Sequence, residues 1–199
     1  MTTALTTTTD RRSARAQRTR LAVVEALLDM LREGHLRPTG REIAARAGVS
    51  LRSLYVHFDD LDDLYETAAV AHFRRHRHLL APIEAGLPIE ERIRRFVEQR
   101  SRLFEATDGV RQAAEFWAST SPALTRVVRA ARDAGWDEVR HVFGDAAGGD
   151  ERVLHAVYVA GGPATWDSLR RDRGLEVAEA RSVVRRLIGA ALRIPGGEP

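Results

Sequence analysis

Apolar residues recur at helical spacing along most of this chain, and few segments alternate between apolar and polar residues. Its β-branched residues sit inside these helix-period patterns and do not form the short alternating runs typical of strands. The sequence therefore predicts an all-α fold. Its 199 residues suit one medium domain, or a small domain beside a medium one, and can bury a core without covalent cross-links.

Composition excludes several classes of protein. The chain has no cysteine, which excludes disulfides, thiolate metal sites and cysteine nucleophiles. No run approaches about 18 apolar residues, so we expect no transmembrane helix. Residues 1–9 are rich in threonine and lack the apolar core of a secretory signal, so we expect a cytoplasmic protein. Nucleophile-elbow, zinc-protease, P-loop and dinucleotide motifs do not occur, and we predict neither an enzyme nor a bound cofactor.

Charge is distributed unevenly along the chain. Its 31 basic residues are all arginine and face 28 acidic residues, a net charge of +3. Residues 1–58 hold ten arginines and five acids, residues 59–66 hold five acids and no arginine, and the remainder carries +3. Arginine enrichment alone is expected of a GC-rich genome. A basic block at one end is also typical of a protein that binds a polyanion.

Helical periodicity and the positions of helix-breaking and capping residues predict four regions along the chain. We expect a flexible basic arm over 1–16, a helix-turn-helix domain over 17–60, a helical regulatory and dimerisation domain over 61–194, and a disordered tail over 195–199. Glycine, proline and capping residues place the helix limits within them. The predicted helices span 18–33, 39–47, 51–56, 60–80, 88–106, 109–119, 122–143, 150–171 with a break at 161–163, and 176–193.

Two short helices on either side of a tight turn form the clearest pattern. Thr39 and Glu42 have the spacing of a capping box, and Ser50 is placed to cap the next helix. Gly48 stops the first of the pair. Such a helix-turn-helix presents the start of its second helix to base edges in the DNA major groove. The side chains expected to pack inward are Ile43, Ala44, Ala47, Val49 and Leu54.

Residues 39–58, which read TGREIAARAGVSLRSLYVHF, resemble the DNA-binding domain of the TetR (tetracycline repressor) family. The match covers about residues 18–68, and residues 164–192 more weakly resemble the dimerisation helices of some members. The resemblance implies a homodimer in which each subunit has a three-helix DNA head and a C-terminal body with a ligand pocket. Ligand binding in the body would then change the spacing of the two heads, and with it the affinity for the operator.

The resemblance also implies roles for individual residues. Tyr55 and His57 match positions that contact the DNA backbone, and Leu51 and Arg52 match positions that face the bases. Arg52 is suited to a bidentate pair with guanine, and the alternative is a surface arginine that only solvates the helix. Tyr55 could alternatively be a core tyrosine. The complete set of implied DNA-binding residues is Arg41, Leu51, Arg52, Ser53, Tyr55 and His57.

One position departs from the family pattern. Family members commonly carry a lysine three residues after the position of Phe58, where this chain has Leu61. The carboxylates on either side, Asp59, Asp60, Asp62 and Asp63, would repel a phosphate at this edge. The basic segment 11–20 could compensate by reaching the backbone or the minor groove.

Two further sets of residues are predicted in the C-terminal region. An aromatic pocket for an apolar or aromatic molecule would be lined by Phe104, Phe116, Trp117, His155, Tyr158 and Trp166, which are otherwise ordinary core residues. A stripe on the last helix would pair with a second subunit, or else only pack inward. That stripe consists of Val177, Ala180, Val184, Leu187, Ile188 and Ala191.

Three functions compete at this point. The leading hypothesis is a transcriptional repressor that leaves a palindromic, double-stranded DNA operator when a small-molecule effector binds. The alternative is a ligand-binding or interaction protein whose DNA head is weakened by the acidic run 59–63. A metal-dependent enzyme using His72 and His76 is disfavoured, because the arginines interleaved with them oppose a cation. We therefore predict no metal site and no membrane partner.

Overall fold

The computed structural model describes the backbone of residues 4–193 and the side chains of residues 13–192. Within that range the chain is helical and contains no strand, which confirms the predicted all-α fold. The predicted tail 195–199 lies outside the described residues, as do the first three residues of the predicted arm. The helices are α1 (Ala4–Arg32), α2 (Gly40–Arg46), α3 (Leu51–His57), α4 (Leu61–His76), α5 (Ile89–Trp117), α6 (Pro122–Phe143), α7 (Glu151–Ala160), α8 (Pro163–Asp167) and α9 (Val177–Arg193).

The helices form two compact units. The first contains the residues up to Arg75 together with Asp108–Val128, and the second contains His76–Thr107 and the residues from Arg129 onward. Helix α4 belongs almost wholly to the first unit, so the boundary we predicted at residue 60 differs from the observed division. The reason is that α4 buries Leu64 and Ala68 in the same core as α1.

The core of the first unit is built from α1, the helix-turn-helix, α4 and the segment 108–128. Its fully buried side chains include Leu27, Leu28, Ile43, Leu54 and Leu64. Bidentate ion pairs fasten the neighbouring helices at the surface. Arg46 of α2 pairs with Glu33 at 2.9 and 2.6 Å, and Arg75 of α4 pairs with Glu25 of α1. Both arginines lower the pKa of the glutamate they bind by hydrogen bonding to its ionised form.

Two predicted limits in this unit were wrong. Helix α1 is described from Ala4 and not from near Arg18. Alanine, arginine and glutamine in 12–20 are good helix formers, and over that segment they extend an already stable helix. The backbone over 4–16 is thus helical where we expected an irregular arm, and its mobility stays a prediction. Helix α5 continues through Gly109, where we expected a break. A Cβ at Gly109 would stand 2.1 Å from the carbonyl oxygen of Leu31, so glycine is required there by close packing and does not mark a turn.

The second unit has its own apolar core. Phe96, Phe143, Val139 and Val157 are fully buried in it, and the Phe96 and Phe143 rings meet edge to face with centroids 5.2 Å apart. The break predicted at 161–163 is present, because α7 ends at Ala160 and α8 begins at Pro163. A single π-helical turn follows over Ser168–Asp172, closed by a bond from the Arg173 amide to the Ser168 carbonyl.

The apolar stripe of α9 packs mainly inward. Ala180, Val184 and Ile188 are buried in the core of their own chain, which is the inward packing that we kept as the alternative for this stripe. Amphipathic spacing shows only that one face of a helix is covered, and an intrachain core covers it as well as a partner does. Val177 and Ala191 are half-buried against the same core, whereas Leu187 is 44% exposed.

Candidate nucleic-acid interface and ligand cavity

Helices α2 and α3 are fixed at their ends by the capping groups that we predicted. The Thr39 hydroxyl accepts from the Glu42 amide at 3.3 Å, and the Glu42 carboxylate accepts from the Thr39 amide at 2.7 Å, a complete capping box. The Ser50 hydroxyl caps α3 by accepting from the Ser53 amide at 3.1 Å. Gly48, with φ of 68°, turns the chain between the two helices.

Burial of one side of α3 orients the other side outward. Leu54 and the following Phe58 are essentially inaccessible and anchor the helix in the core of the first unit. Arg52 and Tyr55 are exposed on the opposite side, and Arg41 is exposed at the start of α2. Leu51, Ser53 and His57 are only half-exposed, at the edges of that surface. The structure thus gathers the six predicted DNA-binding residues around α3 and the start of α2.

Tyr55 is positioned against the start of α2. Its hydroxyl oxygen lies 2.9 Å from the point where a Cβ on Gly40 would stand. Leu51 lies 3.4 Å from the same point. Because the side chain of residue 40 is absent, the phenol can approach the α2 backbone closely while its ring remains 46% exposed. Its hydroxyl therefore lies beside the first turn of α2, close to Arg41.

An arginine of α1 holds the other end of α3. Arg20 donates from Nη1 to the carbonyl oxygen of His57 at 2.7 Å and from Nη2 to the Thr67 hydroxyl of α4 at 3.1 Å. Its guanidinium carbon lies 4.4 Å from the centroid of the Phe58 ring. Arg20 is half-buried and touches the end of α3, the residue after it and α4.

Two residues of this region were missed in the sequence. Val56 is 70% exposed on α3, next to Arg52 and Tyr55 on the outward surface. Its exposure could have been predicted, since Leu54 and Phe58 define the buried face and Val56 lies off it. The role of Arg20 carries no local signal, because its partners are 37 and 47 residues away in the sequence.

The acidic run after α3 forms hydrogen bonds to backbone amides at and just before the start of α4. The Asp60 carboxylate accepts from the Asp63 amide at 2.8 Å, and the Asp63 carboxylate accepts from the Asp59 amide at 3.3 Å. These bonds satisfy amides at the start of α4, where negative charge also complements the helix dipole. Asp59 and Asp60 remain exposed, so their charges still face solvent on this edge.

The second unit contains a narrow cavity of about 10 Å³, room for roughly one water molecule. It lies beside the break between α7 and α8, where a Cβ on Gly161 would meet the Phe96 ring at 2.5 Å. Phe104 and Trp166, two of the predicted pocket residues, line it. Its remaining lining residues are Phe96, Val97, Arg100, Ser101, Ala160, Gly161, Gly162 and Val184.

The other predicted pocket residues lie elsewhere. His155 and Tyr158 pack around Trp136, with the His155 ring stacked on the indole at a centroid distance of 4.5 Å. Phe116 and Trp117 belong to the first unit, where they contact each other edge to face. The structure therefore does not unite the six residues in one cavity. Aromatic residue type is a weak guide here, because large rings fill the cores of both units.

Charged groups border the cavity. Arg100 pairs with Glu138 at 2.9 Å in a poorly solvated site, where burial lowers the pKa of the guanidinium and raises that of the carboxyl. On another side Ser101 accepts from Arg181 at 2.7 Å. The Trp166 indole donates to Glu105 at 2.8 Å.

The described residues offer neither a metal site nor a membrane-spanning helix. Their side chains form no cluster of three or more metal-ligating groups, and this includes the surroundings of His72 and His76. Over 4–193, no helix has the combined length and apolar character that crossing a bilayer requires.

The fold is shared with a solved regulator. No protein-family model and no curated protein sequence matches the chain. A crystal structure of a transcriptional regulator from Rhodococcus sp. Rha1 is similar, with a TM-score of 0.69 and 19% sequence identity over 89% of this chain and 96% of the other. The chain thus has the all-α fold of a transcriptional regulator.

Proposed function

We propose that this protein is a TetR-like, DNA-binding transcriptional regulator that acts as a cytoplasmic homodimer. It represses from a palindromic operator and is released by a small apolar or aromatic molecule. The observation that carries the proposal is the α3 surface. There Arg52, Tyr55 and Val56 stand outward on a short helix that is capped at Ser50 and anchored in the core by Leu54.

The chemistry of that surface suits double-stranded DNA. Arg52 offers the planar pair of donors that matches the O6 and N7 atoms of guanine in the major groove. The Tyr55 hydroxyl lies beside Gly40, and Arg41 is the next, exposed residue of α2; both groups would bind phosphate and set the register of α3. Ser53 and His57, at the edges of the surface, add donors toward the DNA backbone.

The cavity in the second unit supports an effector site. Phe96, Phe104 and Trp166 give it an aromatic wall, and Arg100 and Ser101 give it polar groups that would orient a ligand. A drug-sized ligand occupies several hundred Å³, so binding would displace side chains around the α7–α8 break. This displacement is the structural change that an effector would introduce.

The homodimer would use the exposed part of α9 and its neighbour α7. Leu187 is 44% exposed on α9, and Val159 is 66% exposed on α7, which packs against α9 in the second unit. Val177 and Ala191, each half-buried, would flank this surface. Paired with a second copy, the two helices would form a four-helix interface.

Selection from a random duplex pool tests DNA reading directly. The protein should enrich a palindromic sequence, and its affinity should fall with salt in proportion to the phosphates it neutralises. R52A should lower affinity for the enriched duplex by about 1–3 kcal/mol and relax the preference at one base position. R132A, which removes an exposed charge of α6, is the matched control and should leave that preference unchanged.

The acidic run favours one other candidate, a ligand-binding protein with a weakened DNA head. Exposed Asp59 and Asp60 face the edge at which the family places a phosphate-binding lysine. This candidate predicts that no sequence is enriched at any salt concentration. Because the acidic run is the cause of the weakening in this candidate, D59N/D60N should restore enrichment.

A further inference from the structure

Arg20 of α1 links three elements with one side chain. Its two terminal nitrogens donate to different partners, the His57 carbonyl at 2.7 Å and the Thr67 hydroxyl at 3.1 Å, while its planar face covers the Phe58 ring. The Thr67 hydroxyl in turn donates to the Asp63 carboxylate at 3.4 Å. One guanidinium thus ties the end of α3 to α4.

The His57 carbonyl is a sensitive place for such a link. It lies in the last turn of α3, where backbone carbonyls have no partner within the helix and a nearby cation is favourable. Helix α3 has only seven residues, too few to hold its own direction without tertiary contacts. Ser50 fixes its start and Leu54 its buried side. Arg20 is the polar contact that fixes its end.

The partner element, α4, spans the boundary between the two units, as α5 and α6 also do. It runs from Leu61 to His76, and the second unit begins at His76. We propose that Arg20 is a positioning residue that ties the recognition helix α3 to α4 and so sets the direction of the DNA-reading side chains. This inference rests on the proposed function, because it describes how the same DNA surface is set.

Lysine cannot replace arginine in this role. An ammonium group is a single point of charge, whereas the guanidinium reaches two acceptors and stacks on a ring with one rigid plane. R20K therefore keeps the charge and weakens the link. T67V removes the α4 acceptor with almost no change in shape and leaves Arg20 in place.

The experiment measures affinity by fluorescence anisotropy for the duplex that the unsubstituted protein enriches, and for a scrambled duplex of equal length. We expect R20K to weaken binding to the enriched duplex about tenfold and T67V about threefold, with scrambled-duplex affinity and salt slope unchanged. The double variant R20K/T67V should bind like R20K, because both changes break the same link. Thermal unfolding of each variant establishes that it is folded, and T67V tests the link even if R20K unfolds.

Matched controls make the same substitutions at residues outside the link between Arg20 and Thr67. R18K makes the same substitution at an exposed residue of α1, and T107V makes the same threonine change on α5 in the second unit. Both should bind the enriched duplex like the unsubstituted protein.

Three results would overturn the inference. If R20K and T67V bind the enriched duplex within twofold of the unsubstituted protein, Arg20 does not position α3. If R20K lowers enriched and scrambled affinity equally and reduces the salt slope by about one, Arg20 is a phosphate contact. If the unsubstituted protein enriches no duplex, the proposed function itself is wrong and the inference falls with it.

Discussion

The hydroxyl of Tyr55 occupies the space that a side chain on Gly40 would need, with only 2.9 Å between the phenol oxygen and the position of a Cβ. The close contact involves the free end of a flexible side chain, so an added methyl group would displace Tyr55 before it disturbed the backbone. The consequence is that residue 40 controls where the Tyr55 hydroxyl is presented.

We predict that G40A weakens DNA binding without unfolding the protein. Alanine is the better helix former, so the free energy of unfolding should stay within about 1 kcal/mol of its original value. Affinity for the enriched duplex should fall about tenfold, the loss expected when a hydrogen bond to a charged phosphate is misplaced. Urea denaturation and anisotropy measure the two quantities separately. Y55F serves as the comparison, and full affinity in G40A would show that the hydroxyl position is irrelevant.

At Gly109 the same type of substitution should act on stability. A Cβ there would stand 2.1 Å from the Leu31 carbonyl oxygen and 2.8 Å from its carbon, both of them backbone atoms of a buried residue. G109A should lower the free energy of unfolding by about 1–3 kcal/mol, despite the better helix propensity of alanine. In G86A, where no atom lies within 4 Å of the new methyl group, stability should be unchanged or slightly higher. Equal stability of the two variants would contradict the close packing.

Tyr65 should make stability fall at alkaline pH. Burial raises its pKa from the ordinary value of 10.0 to about 12. Between pH 10 and 12 the phenol of the unfolded chain therefore loses its proton while that of the folded chain keeps it, so stability declines as pH rises through this window. The decline should reach roughly 2–3 kcal/mol by pH 12. Y65F should flatten that part of the curve, and an identical slope in Y65F would assign it to another group.

Breaking the Arg100–Glu138 pair should lower the free energy of unfolding strongly, whereas replacing both residues by apolar ones should lower it little. Both side chains are mostly buried, and burial acts against the charge of each. E138Q should destabilise the protein by about 3 kcal/mol, because it leaves a poorly solvated guanidinium without its counter-charge. The double variant R100M/E138L should recover most of that loss. Chemical denaturation of the full cycle measures the coupling, and additive losses would mean that the two groups do not act as a pair.

Local signals predicted the starts of α2 and α3 and the break before α8. Thr39, Glu42 and Ser50 form the predicted capping bonds with neighbours three residues away, so the information lies within a few positions of the chain. The same holds for the break before Pro163, which lacks the amide hydrogen that a continuing helix needs.

Features that depend on distant contacts were not predictable in this way. We expected a helix break next to Gly109. The contact that requires glycine there is with the Leu31 carbonyl, 78 positions away in the sequence. Periodicity cannot distinguish an intrachain core from an interface, so the sequence left both open for the stripe with Ala180 and Ile188. The aromatic residues were grouped by type, yet Trp117 and Trp166 belong to different units.

The carboxylate at the start of α4 caps the helix and also sets the charge beside the proposed DNA surface. The Asp60 carboxylate accepts the Asp63 amide there, and its exposed charge also faces the edge of the proposed DNA surface. A lysine at position 60 would attract a phosphate and at the same time remove the oxygen that begins the helix. Tighter operator binding would therefore evolve more readily through arginines at positions that do not also cap a helix.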